Sequence, residues 1–254
     1  FKVDALARGK KLGERLMYIA FNYCVQNNID WVYLHTFGEE QKTLVGLCEE
    51  FGFSLLGKYH NDDVYIKPMK FKEYSISTLD SLIRYYPYFS DNGAINKYII
   101  PIQPRYHEDL FPDLSSMKGS LFEKDQSLYS CQGNTIKKAY LCHAKTKSIK
   151  LGYIIFFYRS RDRKSIQCMG IVEDAFFSYN VNDVFAMIAK RTVYNYEELQ
   201  GIMNRKTLVI LFRYIVCQNE VSSKRLREIG IKGNIQSIRQ INNTQYQQIR
   251  NNEI

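Results

Sequence analysis

The stretch Leu151–Ser160, LGYIIFFYRS, decides the fold of the larger part of this chain. Its apolar run is far shorter than the roughly 18–20 residues a membrane span needs. A short run rich in aromatic and β-branched residues predicts a buried strand. It leads into Tyr158-Arg159-Ser160-Arg161, where cations meet an aromatic ring. Four further strands surround it: the apolar start of NKYIIPIQPRYHEDLFPDL, then IKKAYLCHA, SIQCMGIVEDAFF and TLVILFRYIV. Helical patterns, VNDVFAMIAKRT and YEELQGIMN, separate the last two, and others fall near Ser222–Gly230 and Asn243–Arg250. Mostly β structure with a few inserted helices over residues 96–254 predicts a small barrel.

Charge divides the chain in the same place. Residues 1–68 hold 8 of the 35 basic and 9 of the 26 acidic residues, so the remainder carries 27 against 17, a net of +10. An excess of that size on one part points to an anionic partner such as nucleic acid. The six cysteines (24, 48, 131, 142, 168 and 217) include no C-x-x-C pair, and the four histidines (35, 60, 107 and 143) lack zinc-site spacing. That pattern predicts no metal site, reduced thiols and a cytoplasmic protein.

Residues 1–69 follow a different rhythm. FKVDAL reads as the end of a strand, and apolar residues at Leu12, Leu16, Ile19, Ala20 and Tyr23 keep helical spacing. WVYLHTF is a strand, EEQKTLVGLCEEF a helix closed by Gly52, and FSLLGKYHNDDVYIKPM two strands about a turn at Asn61-Asp62. This order predicts an α/β sheet with a parallel portion. His35 on WVYLHTF is expected to be a hydrogen-bonded core residue. Residues 70–95 form a connector with a short helix near Ser77–Tyr85. The helix start RGKKLGERL offers unpaired backbone N–H groups, a positive dipole end and the cations Arg8, Lys10 and Lys11, a combination that suits phosphate.

That turn and the segments after it resemble the GNAT family of N-acetyltransferases, whose Arg/Gln-x-x-Gly-x-Gly/Ala turn holds the pyrophosphate of acetyl-CoA. Arg8 matches the first position and Gly13 the last, while Lys11 stands at the middle glycine. LVGLCEEFGF is similar to the family's helix ending in F-Y-E-K-x-G-F. The resemblance covers residues 1 to about 68 and the second half of the family's domain, so the chain reads as N-terminally truncated. It implies acetyl transfer to an amine, with acetyl-CoA held at Arg8, Gly9, Lys10, Lys11, Leu12 and Gly13. Counting back from Gly52 puts Cys48 where the family often carries a proton-donating Tyr. Acid catalysis by Cys48 and burial as a core thiol are both open readings.

The later segments resemble the PUA-like superfamily, including its ASCH and EVE members. Gly152–Tyr158 and Gly170–Val172 match that group's paired strands. The resemblance implies a pocket or face for RNA, or for a modified base of RNA or DNA. Three clusters agree in chemistry: Arg105-Tyr106-His107, Tyr158-Arg159-Ser160-Arg161 and Lys190-Arg191-Thr192-Val193-Tyr194. Arg105, Tyr106, Tyr158, Arg159, Arg161, Arg191 and Tyr194 are therefore the candidate nucleic-acid contacts. The whole reads as an α+β chain, a partial GNAT-like sheet followed by a PUA-like small β-barrel with inserted helices. Two functions follow: an acetyltransferase with a PUA-like nucleic-acid-binding domain, or a non-catalytic nucleic-acid-binding or regulatory module of toxin or defence type with a structural acetyltransferase remnant.

Overall fold

The helical spacing after the basic turn is realised as α1 (Leu12–Gln26), which buries Met17, Phe21 and Cys24 along one stripe. The computed structural model describes residues 9–37, 41–70, 78–112, 114 and 131–251. The predicted strand FKVDAL and the candidate Arg8 lie outside these residues. By their contacts the described residues fall into two units, one of residues 13–90 and one of residues 9–12 and 91–251. The division falls between 90 and 91, so the predicted connector's helix, α3 (Leu79–Tyr85), belongs to the first unit. No helix among the described residues is long and apolar enough to cross a membrane.

The first unit adds β1 (Trp31–Thr36), α2 (Lys42–Glu50), β2 (Ser54–Tyr59) and β3 (Asp62–Pro68). Its sheet has the order β1-β3-β2, and both ladders are antiparallel. The expected parallel portion is absent among the described residues. The β2–β3 hairpin turns at His60-Asn61, with His60 in the left-handed region at φ 54°, and folds β3 back between β1 and β2. His35 is consequently not a core residue. One face of β1 is open, and its ring sits exposed between Tyr33 and Tyr59 with Asp62 at 3.7 Å. Gly52 is at φ 84°, where a Cβ would stand 2.4 Å from the Ile83 carbonyl oxygen, so glycine is required there. Buried Lys67 closes the end of α3 by donating to the carbonyls of Arg84 (2.6 Å) and Ile83 (3.4 Å).

The second unit contains β4 (Lys97–Ile102), α4 (Pro104–Leu110), α5 (Cys131–Asn134), β5 (Lys137–Cys142), β6 (Ile154–Arg159) and β7 (Ser165–Ser178). After these come α6 (Val181–Ile188), α7 (Tyr196–Ile202), β8 (Thr207–Ser222), α8 (Ser223–Glu228), β9 (Arg239–Ile241) and α9 (Asn243–Arg250). The strands make one mixed sheet of order β5-β8-β7-β6-β4-β9, in which β4 and β6 are parallel and the other pairs antiparallel. All six positions of β6 are buried, as the run LGYIIFFY predicts. Its Phe157 packs on Phe212 at 4.8 Å and on Phe111 at 5.0 Å. Gly170 on β7 lets that core close, since a Cβ there would meet the Phe212 ring at 2.3 Å.

The predicted barrel is an open, curled sheet among the described residues. No ladder joins β5 to β4 or β9, yet the Tyr140 hydroxyl on β5 donates to the Pro101 carbonyl on β4 at 2.8 Å. Bulges in β7 opposite β8, between Ile166 and Cys168 and between Val172 and Asp174, allow these long strands to bend. The fold is α+β throughout.

Candidate nucleic-acid interface

The gap left by the incomplete closure of the second unit is a cavity of about 750 Å³. Parallel pairing explains one wall. Pro101 lies opposite Tyr158 and Ile102 opposite Arg159, so the carboxyl ends of β4 and β6 open at the same place. Pro104 at the first turn of α4 stops the strand and swings Tyr106 over the opening. Ser160 pins the other side, its backbone N–H and hydroxyl both donating to the Ile102 carbonyl at 2.9 and 3.0 Å. Tyr140, Cys142 and His143 from β5 and its end, with Tyr194 ahead of α7, complete the enclosure, and Asn234 and Gln236 rim it.

Four tyrosines thus converge: Tyr106, Tyr140, Tyr158 and Tyr194. The rings of Tyr106 and Tyr194 are 4.9 Å apart and tilted by 59°. Burial pushes the Tyr140, Tyr158 and Tyr194 hydroxyls upward, so all three remain neutral phenols at physiological pH. Burial also raises the Cys142 thiol. His143 Nε2 lies 2.7 Å from the Ile202 carbonyl and must carry its proton there. Nδ1 then accepts from Arg205 at 2.6 Å, which fixes a neutral tautomer. Arg161 and Lys164 stand at the mouth, and no carboxylate is among the described lining residues. Aromatic faces, neutral donors and two cations make a site suited to a planar, hydrogen-bonding group attached to an anion.

Of the residues singled out from sequence, the structure brings Tyr106, Tyr158, Arg161 and Tyr194 to this cavity. Arg105 is exposed beside it, 3.1 Å from Glu198 and stacked over Tyr106. Arg159 is not a contact residue. It is buried, its Nε donating to both oxygens of Asp162 at 3.0 and 2.9 Å and its Nη2 reaching Glu108 at 2.6 Å. That guanidinium holds the Asp162 carboxyl down at about 2 and braces the hairpin turn. Arg191 does not line the cavity, although its backbone carbonyl accepts from the Ala139 N–H at 2.8 Å.

Sequence reading missed Tyr140, Cys142, His143, Lys164, Asn234 and Gln236. The available signal was YLCH at the end of a predicted strand and the Lys two residues beyond Asp162. Arg161 and Lys164 also share a backbone peculiarity: both are left-handed, at φ 73° and 53°. Such a conformation costs a non-glycine residue about 1–2 kcal/mol.

The basic turn before α1 has its own geometry. Gly9 is left-handed at φ 81°, and so is Lys11 at φ 58°. The Gly9 carbonyl accepts from the Cys131 thiol at 3.2 Å and the Lys10 carbonyl from the Asn134 amide at 2.8 Å. Leu12 begins α1, and Gly13 lets α2 approach, since a Cβ there would lie 2.9 Å from Leu47 Cδ2. Cys48 is fully buried on α2, and burial, reinforced by Glu49, pushes its thiol up to about 11. Packing accounts for Cys48 without a chemical role.

No family model matches the chain, and no curated protein matches it. Three solved structures of an ASCH protein from Zymomonas mobilis are similar to it. The unsubstituted protein is 13% identical with a TM-score of 0.45, the match covering 60% of this chain and 92% of that one. A serine-to-alanine variant is 13% identical with a TM-score of 0.45, covering 60% of this chain and 93% of that one. A tyrosine-to-phenylalanine variant is also 13% identical at a TM-score of 0.45, covering 60% and 95%.

Proposed function

We propose that the second unit is a PUA-like nucleic-acid-binding domain that takes a base of single-stranded RNA into the cavity. The observation that carries this reading is the enclosure itself: four tyrosines and two mouth cations around about 750 Å³, with no carboxylate among the described lining residues. A base stacks on a tyrosine face irrespective of its identity, while Gln103, Asn234 and Gln236 supply amides that can read its edge. The adjoining phosphate meets Arg161 or Lys164. Titration of a fluorescently labelled single-stranded RNA, followed by anisotropy, tests this. Tyr194→Ala is expected to weaken binding by about 1–3 kcal/mol, roughly 5- to 150-fold. Unchanged affinity, with the fold intact by circular dichroism, contradicts the reading.

A second reading concerns the turn before α1, and one observation favours it. Lys11, at the position where the resemblance implies a glycine, adopts the left-handed conformation that glycine takes without cost. In this reading the turn binds the pyrophosphate of acetyl-CoA ahead of acetyl transfer to an amine. Isothermal calorimetry with acetyl-CoA is expected to show binding. Lys11→Gly is expected to raise stability by about 1 kcal/mol and to retain that binding. Absence of heat in both proteins rejects the cofactor site.

A further inference from the structure

Four carboxylates near the hairpin turn and α8 each have a cationic partner. Asp162 and Glu108 are held by Arg159, Glu220 faces Arg163 at 3.8 Å, and Glu228 is held by Arg225 at 3.4 Å. Four exposed cations in the same segments, Arg161, Lys164, Lys224 and Arg227, have no carboxylate partner among the described residues. The fold places them together. The Ser223 N–H donates to the Lys164 carbonyl at 2.8 Å, which seats the first turn of α8 on the hairpin turn that carries Arg161 and Lys164. Lys224 and Arg227 are three residues apart and share one side of α8, while Leu226 between them is buried. The charge of Arg227 is felt at the Tyr158 hydroxyl, opposing the rise that burial causes, so α8 runs beside a wall of the cavity.

We infer that these four cations form a phosphate track leading from the cavity mouth over the hairpin turn and onto α8, so that the ligand is a strand of several nucleotides rather than a free nucleotide. The inference rests on the cavity reading above, and it adds the length and direction of the contact. Unpaired surface cations gain little from one another and are individually well solvated. Lined up beside an aromatic pocket, they match the repeated charge of a polynucleotide backbone, and their contribution is read from its salt dependence.

The test compares uridine monophosphate with octauridylate, each titrated across a salt series into the wild-type protein and into Lys224→Ala/Arg227→Ala. Both substituted residues are exposed, so the fold is retained. Four phosphate contacts at about 0.7 each predict that log affinity for the octamer falls with log salt at a slope of about −3. The double variant is expected to reduce that slope by about 1.4 and to leave the monophosphate affinity unchanged. The octamer should bind at least tenfold more tightly than the monophosphate. Equal affinities, with one slope in both proteins, overturn the track and leave the cavity reading standing. Failure of both probes to bind, or indifference of both to Tyr194→Ala, overturns the cavity reading and the track with it. Displacement of the octamer by octaglutamate at equal concentration overturns the polynucleotide in favour of an acidic protein.

Discussion

Reversing both mouth cations, Arg161→Glu with Lys164→Glu, is expected to lower the affinity for single-stranded RNA by about a hundredfold or more. Each charge-assisted contact to a phosphate is worth about 1.5–3 kcal/mol, and 1.4 kcal/mol is a factor of ten. Both side chains are exposed, neither has a carboxylate partner among the described residues, and both line the opening, so their replacement leaves the core untouched. Arg161 permits a sharper separation of binding from folding. At φ 73° its backbone strains any residue but glycine, so Arg161→Gly is expected to raise stability by about 1 kcal/mol while weakening RNA binding. A residue kept in an unfavourable conformation for its side chain's sake shows these opposite signs. Thermal unfolding and anisotropy on the same sample check both. A loss of stability, or an affinity equal to that of the wild type, contradicts the role given to Arg161.

The second large effect concerns acid stability. His107 on α4 is fully buried against Phe111, and neither of its ring nitrogens has a hydrogen-bond partner among the described residues. Burial, then the nearby Arg159 charge, pushes its pKa down to about 3. In the unfolded chain a histidine titrates near 6.5. Between those values the unfolded chain carries a proton that the folded chain refuses, so the contribution of this group to stability falls as pH drops from about 6.5 toward 3. The slope is about 1.4 kcal/mol per pH unit, or about 2 kcal/mol lost by pH 5. His107→Leu removes the loss and the cost of an unpartnered buried N–H. Urea unfolding of both proteins at pH 7 and pH 5 is expected to show the variant gaining about 2 kcal/mol relative to wild type at the lower pH. Parallel pH dependence in the two proteins contradicts this account.

What could be read from the sequence was local. The apolar run of β6 announced its burial, and the tyrosines beside cations at Tyr106, Tyr158 and Tyr194 foreshadowed the aromatic lining of the cavity, because each signal lies within a few consecutive residues. Features set by distant pairing were not visible. Tyr140 joins the cavity because the sheet curls until β5 meets β4, a contact 39 positions apart in sequence. Arg159 looked like its neighbour Arg161, but one of its partners, Glu108, lies 51 positions away and turns it inward. His35 was expected in the core because its strand reads as central and covered on both faces, whereas β1 lies at the edge of the described sheet and one of its faces stays open. The left-handed backbone at Lys11 follows from the turn, and a lysine there gives no local sign of it.

Entry of a base into the tyrosine-lined cavity is tested by photo-crosslinking. A single-stranded RNA carrying 5-iodouridine is irradiated with the protein, and the adducts are mapped by mass spectrometry of tryptic peptides. Adducts are expected on Tyr106, Tyr140, Tyr158 or Tyr194, suppressed by excess unlabelled RNA. Adducts confined to peptides of the first unit, with none at these four tyrosines, would contradict it.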